Sequence, residues 1–177
     1  MYKRQVLVGV LALARFAVAA VAWDTGNGFA LMGAARDLMI AVFGEALLVL
    51  TLLVAALPAD STDLVTMSAA AHGTDIWREP AHWCGALAFA LVVLVETGRQ
   101  PIDNPDTHLE LTMIHEGPLL EYAGRDLAYL HWVAAARHWL VLVLAGELFL
   151  PHWGGFGARL ALLAGGLLVL CLSLIHI

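Results

Sequence analysis

Charged and imidazole side chains are concentrated in residues 96–126 of the chain. This stretch reads ETGRQPIDNPDTHLELTMIHEGPLLEYAGRD and contains seven of the fifteen acidic residues, two arginines and two histidines. It separates two apolar runs that we expect to lie in lipid. A solvated loop is one interpretation of the stretch, and a surface that handles protons or docks a partner is the other. The density and variety of the charges favour the second interpretation.

The histidines of this stretch do not have the spacing of metal ligands. Glu110 and His115 are five residues apart, whereas two ligands on one helical face prefer a separation of four. His108 and His115 match neither HExxH nor another metal-ligand spacing. We therefore expect no metal ion in this stretch.

A second group of ionisable residues lies inside a predicted membrane helix, where a charge is costly and indicates function by default. Glu45 lies 16 residues after the predicted helix start, which is ~24 Å along the axis at about 1.5 Å per residue. Its carboxylate must face a water-filled cavity, pair with Arg15 or Arg36, or stay protonated. Arg36 and Asp37 lie nearer the helix end, so an interfacial anchor and a functional role are both open for them.

The composition identifies a polytopic membrane protein. Of the 177 residues, 61% are hydrophobic and 14% are charged, and the mean hydropathy of +0.81 lies outside the range of soluble domains. The net charge of -6 is spread over loops and helices and argues against nucleic-acid binding. Cys84 and Cys171 lie far apart in apolar runs without a CxxC spacing, so we expect both to be packing or lipid-facing residues.

These features predict an all-α membrane helix bundle with about five transmembrane segments in one domain over residues 6–172. A spanning helix needs roughly 20 mostly apolar residues, and the segments that we predict are residues 6–23, 29–57, 81–95, 127–150 and an incomplete fifth at 156–172. Asp24 is expected to cap the second helix, and residues 62–71 are expected to form a short surface helix. Arg137 lies well inside the fourth segment, so we expect it to face other helices.

The second predicted helix carries a motif that resembles a known family. ARF is followed by WDTGNGFALMGAARD, and Arg36 precedes Glu45 by nine positions. Together with Gly33, this arrangement is similar to a helix of the subunit 1 family of complex I. The similarity is greater to the hydrogenase branch of that family, which includes the membrane subunits of formate hydrogenlyase and related membrane-bound NiFe hydrogenases.

A second motif, in residues 96–126, resembles the same family. ETGRQPID matches the family pattern of Glu, basic residue, Pro and Asp at Glu96, Arg99, Pro101 and Asp103. Asp106 and Glu110 fall on acidic family positions, and EYAG at residues 121–124 is similar to the family's EYSG. The resemblance covers about residues 6–150, and the two motifs occur in the family's order.

The chain also departs from the family pattern. His108 stands where the family often has a third carboxylate, Ile102 where Phe is usual, and Ala46 where Pro often follows the buried Glu. About three extra residues separate Glu110 from Glu121. Because the corresponding loop borders the quinone chamber in complex I, these changes argue against quinone binding. They affect proton transfer less, since His also relays protons.

The resemblance implies a non-catalytic membrane-anchor subunit of a formate hydrogenlyase or hydrogenase-type complex. Such a subunit couples electron transfer in a peripheral arm to the movement of protons or sodium ions. The implied proton path consists of six carboxylates, Glu45, Glu96, Asp103, Asp106, Glu110 and Glu121. Charge balance is expected from Arg36, Arg99 and Asp37, and a further relay role is expected from His108 and His115.

The resemblance also implies partners and a location. The expected partners are the large and small hydrogenase subunits, antiporter-like membrane subunits and the lipid bilayer. The NiFe and iron-sulfur centres would belong to those partners, and this chain would hold no cofactor. We expect the prokaryotic inner (cytoplasmic) membrane, with residues 96–126 facing the cytoplasm. A quinone-chamber subunit of an NADH:quinone oxidoreductase and a purely structural membrane tether remain open as alternatives.

Both ends of the chain resemble translated sequencing-adapter sequence of the kind found at the edges of metagenomic gene fragments. Residues 1–5 read MYKRQ and residues 173–177 read SLIHI. We expect neither end to be native and the true protein to continue past both. The implied orientation supports this expectation for residues 1–5. If these residues were native, Lys3 and Arg4 would lie outside, against the positive-inside rule.

Overall fold

A computed structural model of the protein describes residues 3–71, 73, 75–98, 102–103, 114–150 and 164–165. Most of these residues belong to five α-helices, α1 (Lys3–Thr25), α2 (Gly28–Ala56), α3 (Leu64–Ala71), α4 (Pro80–Thr97) and α5 (Gly124–Phe149). Short 3-10 helices occupy Leu57–Ala59, Asp75–Arg78 and Gly117–Leu119. No strand occurs within the described ranges, and the predicted all-α class is confirmed.

Four of the helices, α1, α2, α4 and α5, are long and apolar enough to cross a membrane. They coincide with the first four predicted segments, with the helix ends shifted by at most three residues. The predicted surface helix at residues 62–71 is present as α3 and begins at Leu64. The predicted fifth segment, residues 156–172, lies outside the described residues apart from residues 164–165.

The side chains are distributed as in a membrane protein. Large apolar side chains lie on the outer surface, where Phe43 is 73% exposed and Trp132 is 70% exposed. Charged side chains lie inside, where Arg15 and Glu96 are only 2% and 3% exposed. Because lipid solvates apolar groups and does not solvate charges, this distribution keeps the charged residues between the helices.

Helix α2 is central to the bundle. It packs against α1 and α4, and α4 packs in turn against α5. Small residues permit close contact, since a Cβ atom at Gly44 of α2 would lie 2.9 Å from Val95 Cγ1 of α4. A Cβ atom at Gly85 of α4 would lie equally close, 2.9 Å, to Val54 Cγ1 of α2. The side chains between these helices are therefore brought within reach of one another.

Two buried apolar clusters lie on either side of the charged residues along the helices. The smaller cluster joins α1 and α2 and consists of Ala19, Ala22, Ala30 and Ala34. The larger cluster includes Leu11, Leu48, Leu52, Phe89, Val92, Val141, Leu148 and Phe149. In α1, Arg15 falls between members of the two clusters, and in α2 the same is true of Asp37 and Glu45. These charged residues therefore lie between two regions of apolar packing.

The connection between α1 and α2 differs from the prediction. Helix α1 continues through Asp24 to Thr25, and Gly26, at φ +66°, allows the chain to turn. The cap of α2 is Asn27, whose side-chain oxygen accepts a hydrogen bond of 2.9 Å from the Phe29 N–H. The predicted cap at Asp24 is wrong, because the preceding helix extends past that residue.

Candidate functional site

Glu96, in the last turn of α4, is the centre of a buried charged cluster. Its Oε1 lies 3.1 Å from Nη2 of Arg15 in α1, and its Oε2 lies 3.5 Å from Nε of Arg137 in α5. Arg137 Nη2 also donates to the backbone carbonyl of Glu96 at 3.3 Å. All three side chains are more than nine-tenths buried. One carboxylate therefore connects three helices through two guanidinium groups.

Glu45 lies on α2 beside this cluster and is half-buried. The charged groups that act on its carboxyl are Arg15, Glu96, Arg137 and Asp37. Within the described part of the chain Glu45 forms no ion pair of its own. Arg15 is thus paired with Glu96 and not with Glu45, a choice that the sequence alone leaves open. A change in the protonation of Glu45 would therefore break none of the ion pairs among the described residues.

A second buried group connects the loop after α4 to α2. Asp103 accepts hydrogen bonds from the backbone N–H groups of Ile114, at 3.0 Å, and His115, at 2.8 Å. The His115 ring lies between two carboxylates, with Nδ1 3.1 Å from Asp103 Oδ2 and Nε2 3.4 Å from Asp37 Oδ1. The imidazole therefore links the loop to the membrane helix.

The environment of Asp103 sets its protonation. Burial opposes ionisation of this carboxyl, but the hydrogen bond from the His115 ring and those from the two backbone N–H groups outweigh the burial. Together they lower the pKa of Asp103 below its usual value of 3.8. Asp103 is therefore ionised at neutral pH and holds the loop through its charge.

Gly98 makes room for the His115 ring. It ends α4 with φ +59°, in the left-handed region, and its N–H bonds back to the carbonyls of Leu94 and Val95. A Cβ atom at this position would lie 2.7 Å from His115 Nδ1. Both the backbone conformation and the contact with the ring therefore favour glycine here. The glycine that contacts the ring is two residues from Glu96 along the chain.

A cavity of about 550 Å³ joins the two groups. Asp37, Asp103 and His115 line it from one group and Arg137 from the other, while His131 and His138 face it from α5. This space is large enough for several water molecules, which need polar partners of this kind. No cluster of three or more side chains able to hold a metal ion occurs in the part of the chain that the structure describes.

The predicted site residues divide into three sets. Glu45, Glu96, Asp103, Asp37 and His115 come together at the site described above. Glu121 lies elsewhere, is exposed and accepts a hydrogen bond from the Asn27 side chain. Arg36 is half-buried on α2, next to Asp37 in the sequence. Residues outside the described ranges are Arg99, Asp106, His108 and Glu110. The interfacial-anchor interpretation of Asp37 is wrong, since the residue is 6% exposed and faces His115.

Sequence reasoning did not identify the partners of Glu96. The prediction that Arg137 faces other helices is confirmed, and Arg15 is buried with it. The available signal was a single arginine in each of two predicted membrane segments, because a buried cation requires a nearby counter-charge. Which carboxylate supplies that charge depends on how α1, α4 and α5 pack together.

The helices and their buried charges define a multi-pass membrane protein with an ionisable interior. Residues 5–177 match the family described as NADH dehydrogenase. The chain belongs to this family, which contains membrane subunits of complex I and the corresponding hydrogenase subunits. The family predicted from the two sequence motifs is therefore confirmed.

Three relatives illustrate the similarity. The chain is 36% identical to hydrogenase-4 component C of Escherichia coli (strain K12) over 173 residues, which are 97% of this chain and 53% of that protein. It is 32% identical to formate hydrogenlyase subunit 4 of the same strain over 163 residues, 92% of this chain and 51% of that protein. With an NADH-quinone oxidoreductase subunit of Chlorobaculum parvum (strain DSM 263 / NCIMB 8327) it shares 29% identity over 152 residues, 82% of this chain and 42% of that protein. The chain spans about half the length of the curated relatives it matches.

Proposed function

We propose that this protein is a membrane subunit of a hydrogenase-type respiratory complex, in which electron transfer in a peripheral arm drives proton movement across the membrane. The observation that carries the proposal is the ion pairing of buried Glu96 with two arginines beside the half-buried Glu45. Ionisable groups inside a membrane bundle are costly and mark ion pathways. The similarity to hydrogenase-4 component C and formate hydrogenlyase subunit 4 supports a complex of the hydrogenase type.

Glu45 is the proton-exchanging group in this proposal. The positive charges of Arg15 and Arg137 and the negative charge of Glu96 change the proton affinity of Glu45 in opposite directions. A shift of Glu96 relative to its arginines therefore changes the proton affinity of Glu45. Because Gly98 follows Glu96 by two residues and contacts the His115 ring, movement of the loop is transmitted to Glu96. In this proposal the loop faces the cytoplasm, and Asp106, Glu110 and Glu121 remain predicted members of the path.

The test is Glu45→Gln in the full-length protein, within its complex in native membranes. Glutamine keeps the size of the side chain and carries no exchangeable acidic proton. We expect the complex to assemble and the protons moved per electron to fall by at least about tenfold, as when a proton carrier is removed. Proton uptake into inverted vesicles and electron-transfer rate are measured together, and blue-native gels report assembly.

Glu147→Gln is the matched control. Glu147 is also a carboxylate of a membrane helix, but its Oε2 accepts a hydrogen bond from Ser68 of α3 at 3.0 Å, away from the charged cluster. We expect normal proton movement per electron in this variant. Normal coupling in Glu45→Gln contradicts the proposal. Loss of assembly with normal coupling in the remaining complex would instead indicate a structural tether.

A second candidate is a quinone-chamber subunit, which the cavity of about 550 Å³ favours. Its lining combines apolar side chains such as Leu119 and Leu130 with the His115 ring, as small-molecule sites do. The similarity to the NADH-quinone oxidoreductase subunit of Chlorobaculum parvum supports the same alternative. This candidate predicts electron transfer to a short-chain quinone that a quinone-site inhibitor blocks. Electron transfer that is independent of quinone and insensitive to the inhibitor excludes it.

A further inference from the structure

His115 is the one described residue whose two ring nitrogens both face carboxylates. Nδ1 is 3.1 Å from Asp103 Oδ2, and Nε2 is 3.4 Å from Asp37 Oδ1. A neutral imidazole has one donor and one acceptor nitrogen, so it satisfies one carboxylate and turns a lone pair toward the other. Only the imidazolium ring, or a proton on one of the two carboxyl groups, satisfies both contacts. Both contacts are therefore satisfied when the three side chains together hold one proton more than a neutral ring and two carboxylates do.

The two contacts of the ring are not equivalent. On the Asp103 side the ring nitrogen is within hydrogen-bonding distance, and backbone N–H groups fix the carboxylate in place. On the Asp37 side, Asp37 Oδ1 and His115 Nε2 are both buried and lack a hydrogen-bond partner among the described residues. The ring thus has one fixed side, toward the loop, and one adjustable side, toward α2.

The surroundings of the ring hold it in position whichever proton it carries. Its backbone N–H bonds to Asp103, and the ring lies against Gly98 at the end of α4. The titratable or charged groups around the same cavity are Asp37 of α2, Asp103 and Glu116 of the loop, and His131, Arg137 and His138 of α5. Of these, Asp37 and Asp103 are the two that contact the ring.

We propose that His115 carries protons between Asp103 of the loop and Asp37 of α2, a step that rests on the proposed function and adds a defined link to it. Water in the cavity first moves the ring proton from Nδ1, where it faces Asp103, to Nε2. A proton that reaches Asp103 then passes to the free Nδ1, and the proton on Nε2 passes to Asp37. One N–H bond forms and one breaks in this step, so the ring is neutral before and after it and returns to the tautomer with Nδ1 protonated. The charge of Asp37 acts on Glu45, which is the next acceptor.

The first test is His115→Gln in the full-length protein within its complex. Glutamine offers hydrogen-bonding groups and carries no titratable proton. We expect assembly and electron transfer to continue and the protons moved per electron to fall by about tenfold. Asp37→Asn is expected to give the same loss. His82→Gln is the control, because His82 lies on α4 outside this cavity and has no hydrogen bond or ion pair with Asp37 or Asp103 among the residues described.

The second test is independent of proton pumping. Hydrogen exchange of the segment 114–119 is measured in the purified complex across about pH 5 to 9, with correction for the intrinsic pH dependence of exchange. If the ring and its two carboxylates together hold one additional proton, its loss as pH rises weakens their contacts, and protection of this segment falls in the unmodified protein. In His115→Gln the protection is lower and the same at every pH. Protection that varies identically with pH in both proteins overturns the proposal.

The two tests separate this inference from the proposed function. If Glu45→Gln stops proton movement and His115→Gln does not, the link through His115 is wrong and the proposed function stands. If Glu45→Gln has no effect on coupling and the exchange of segment 114–119 depends on pH through His115, the proposed function fails. In that case the protonation-dependent contact of His115 with its two carboxylates remains supported.

Discussion

Glu96→Gln is predicted to destabilise the protein more than removal of one of its arginines. Glutamine keeps the shape of the side chain, and the bond from Arg137 to the backbone carbonyl of Glu96 persists. The substitution nevertheless leaves two guanidinium groups without a counter-charge, in side chains that are 2% and 9% exposed. Removing one partner of a buried ion pair costs about 3–5 kcal/mol. Arg15→Met leaves Glu96 paired with Arg137, so we expect a smaller loss of about 1.5–3 kcal/mol, on the scale of one interaction with a charged group.

The same geometry predicts the outcome of combining the two substitutions. In the double variant the excess positive charge of Glu96→Gln is reduced, because Arg15 is no longer present. The double variant should therefore be more stable than the sum of the two single effects indicates, which is the coupling that a double-mutant cycle measures. Thermal denaturation of the detergent-solubilised complex is the assay. A cost of about 3–5 kcal/mol corresponds to a decrease of roughly 10 °C in Tm.

Glu147→Gln provides the reference for loss of a carboxylate in a membrane helix. Its decrease in Tm is expected to be smaller, because Glu147 takes no part in the ion pairs of Glu96 with Arg15 and Arg137. The reasoning about the charged cluster is refuted if Glu96→Gln and Arg15→Met lower the Tm equally and their effects add. That result would mean that Arg15 and Arg137 do not share Glu96 as their counter-charge.

Two further predictions concern packing and pH. Gly44→Ala places a methyl group 2.9 Å from Val95 Cγ1, so we expect overpacking to cost about 1–3 kcal/mol of stability, measured by Tm. Adding Val95→Ala should restore part of the loss. Equal Tm values for Gly44→Ala and the double variant contradict this contact. The pKa of Asp103 is lowered in the folded protein, so its contribution to stability is present above its unfolded value of 3.8 and is lost as pH falls through the folded value. Exchange of the Ile114 and His115 amides should accelerate in that acid range, and Asp103→Asn should show fast exchange at every pH.

The helices were predictable because the sequence determines them locally. Four apolar runs of sufficient length predict four spanning helices, and the structure places their ends within three residues of the prediction. The helix cap was not predictable in the same way. Asp24 and Asn27 are both suitable cap residues, and the choice depends on how far α1 continues before Gly26 allows the turn. A helix boundary depends on which of several suitable residues becomes the cap, and the composition of the segment does not determine that choice.

The candidate site was predictable in its members and not in its pairings. Glu45 and Glu96 were predictable because a carboxylate inside or beside a membrane segment is energetically costly and therefore indicates function. The partners of Glu96 are 81 and 41 residues away in sequence, and their convergence depends on the packing of three helices. The spacing of His115 argues against a metal-ligand role, and the family resemblance implies a relay role for it. Its position between Asp37 and Asp103 becomes visible only when the loop is folded against α2.

The charges of the assembled site indicate where protons belong. Glu96 is paired with both arginines, and Asp103 faces three N–H groups, so the charge of each is compensated in place. Asp37 and Glu45 have no arginine within ion-pair distance in the described ranges. In the proposed function their negative charge is balanced by protons, held by the carboxyl groups or by the His115 ring. The part of the site without arginines is then the part whose proton occupancy changes, and it lies between the loop and the membrane cluster.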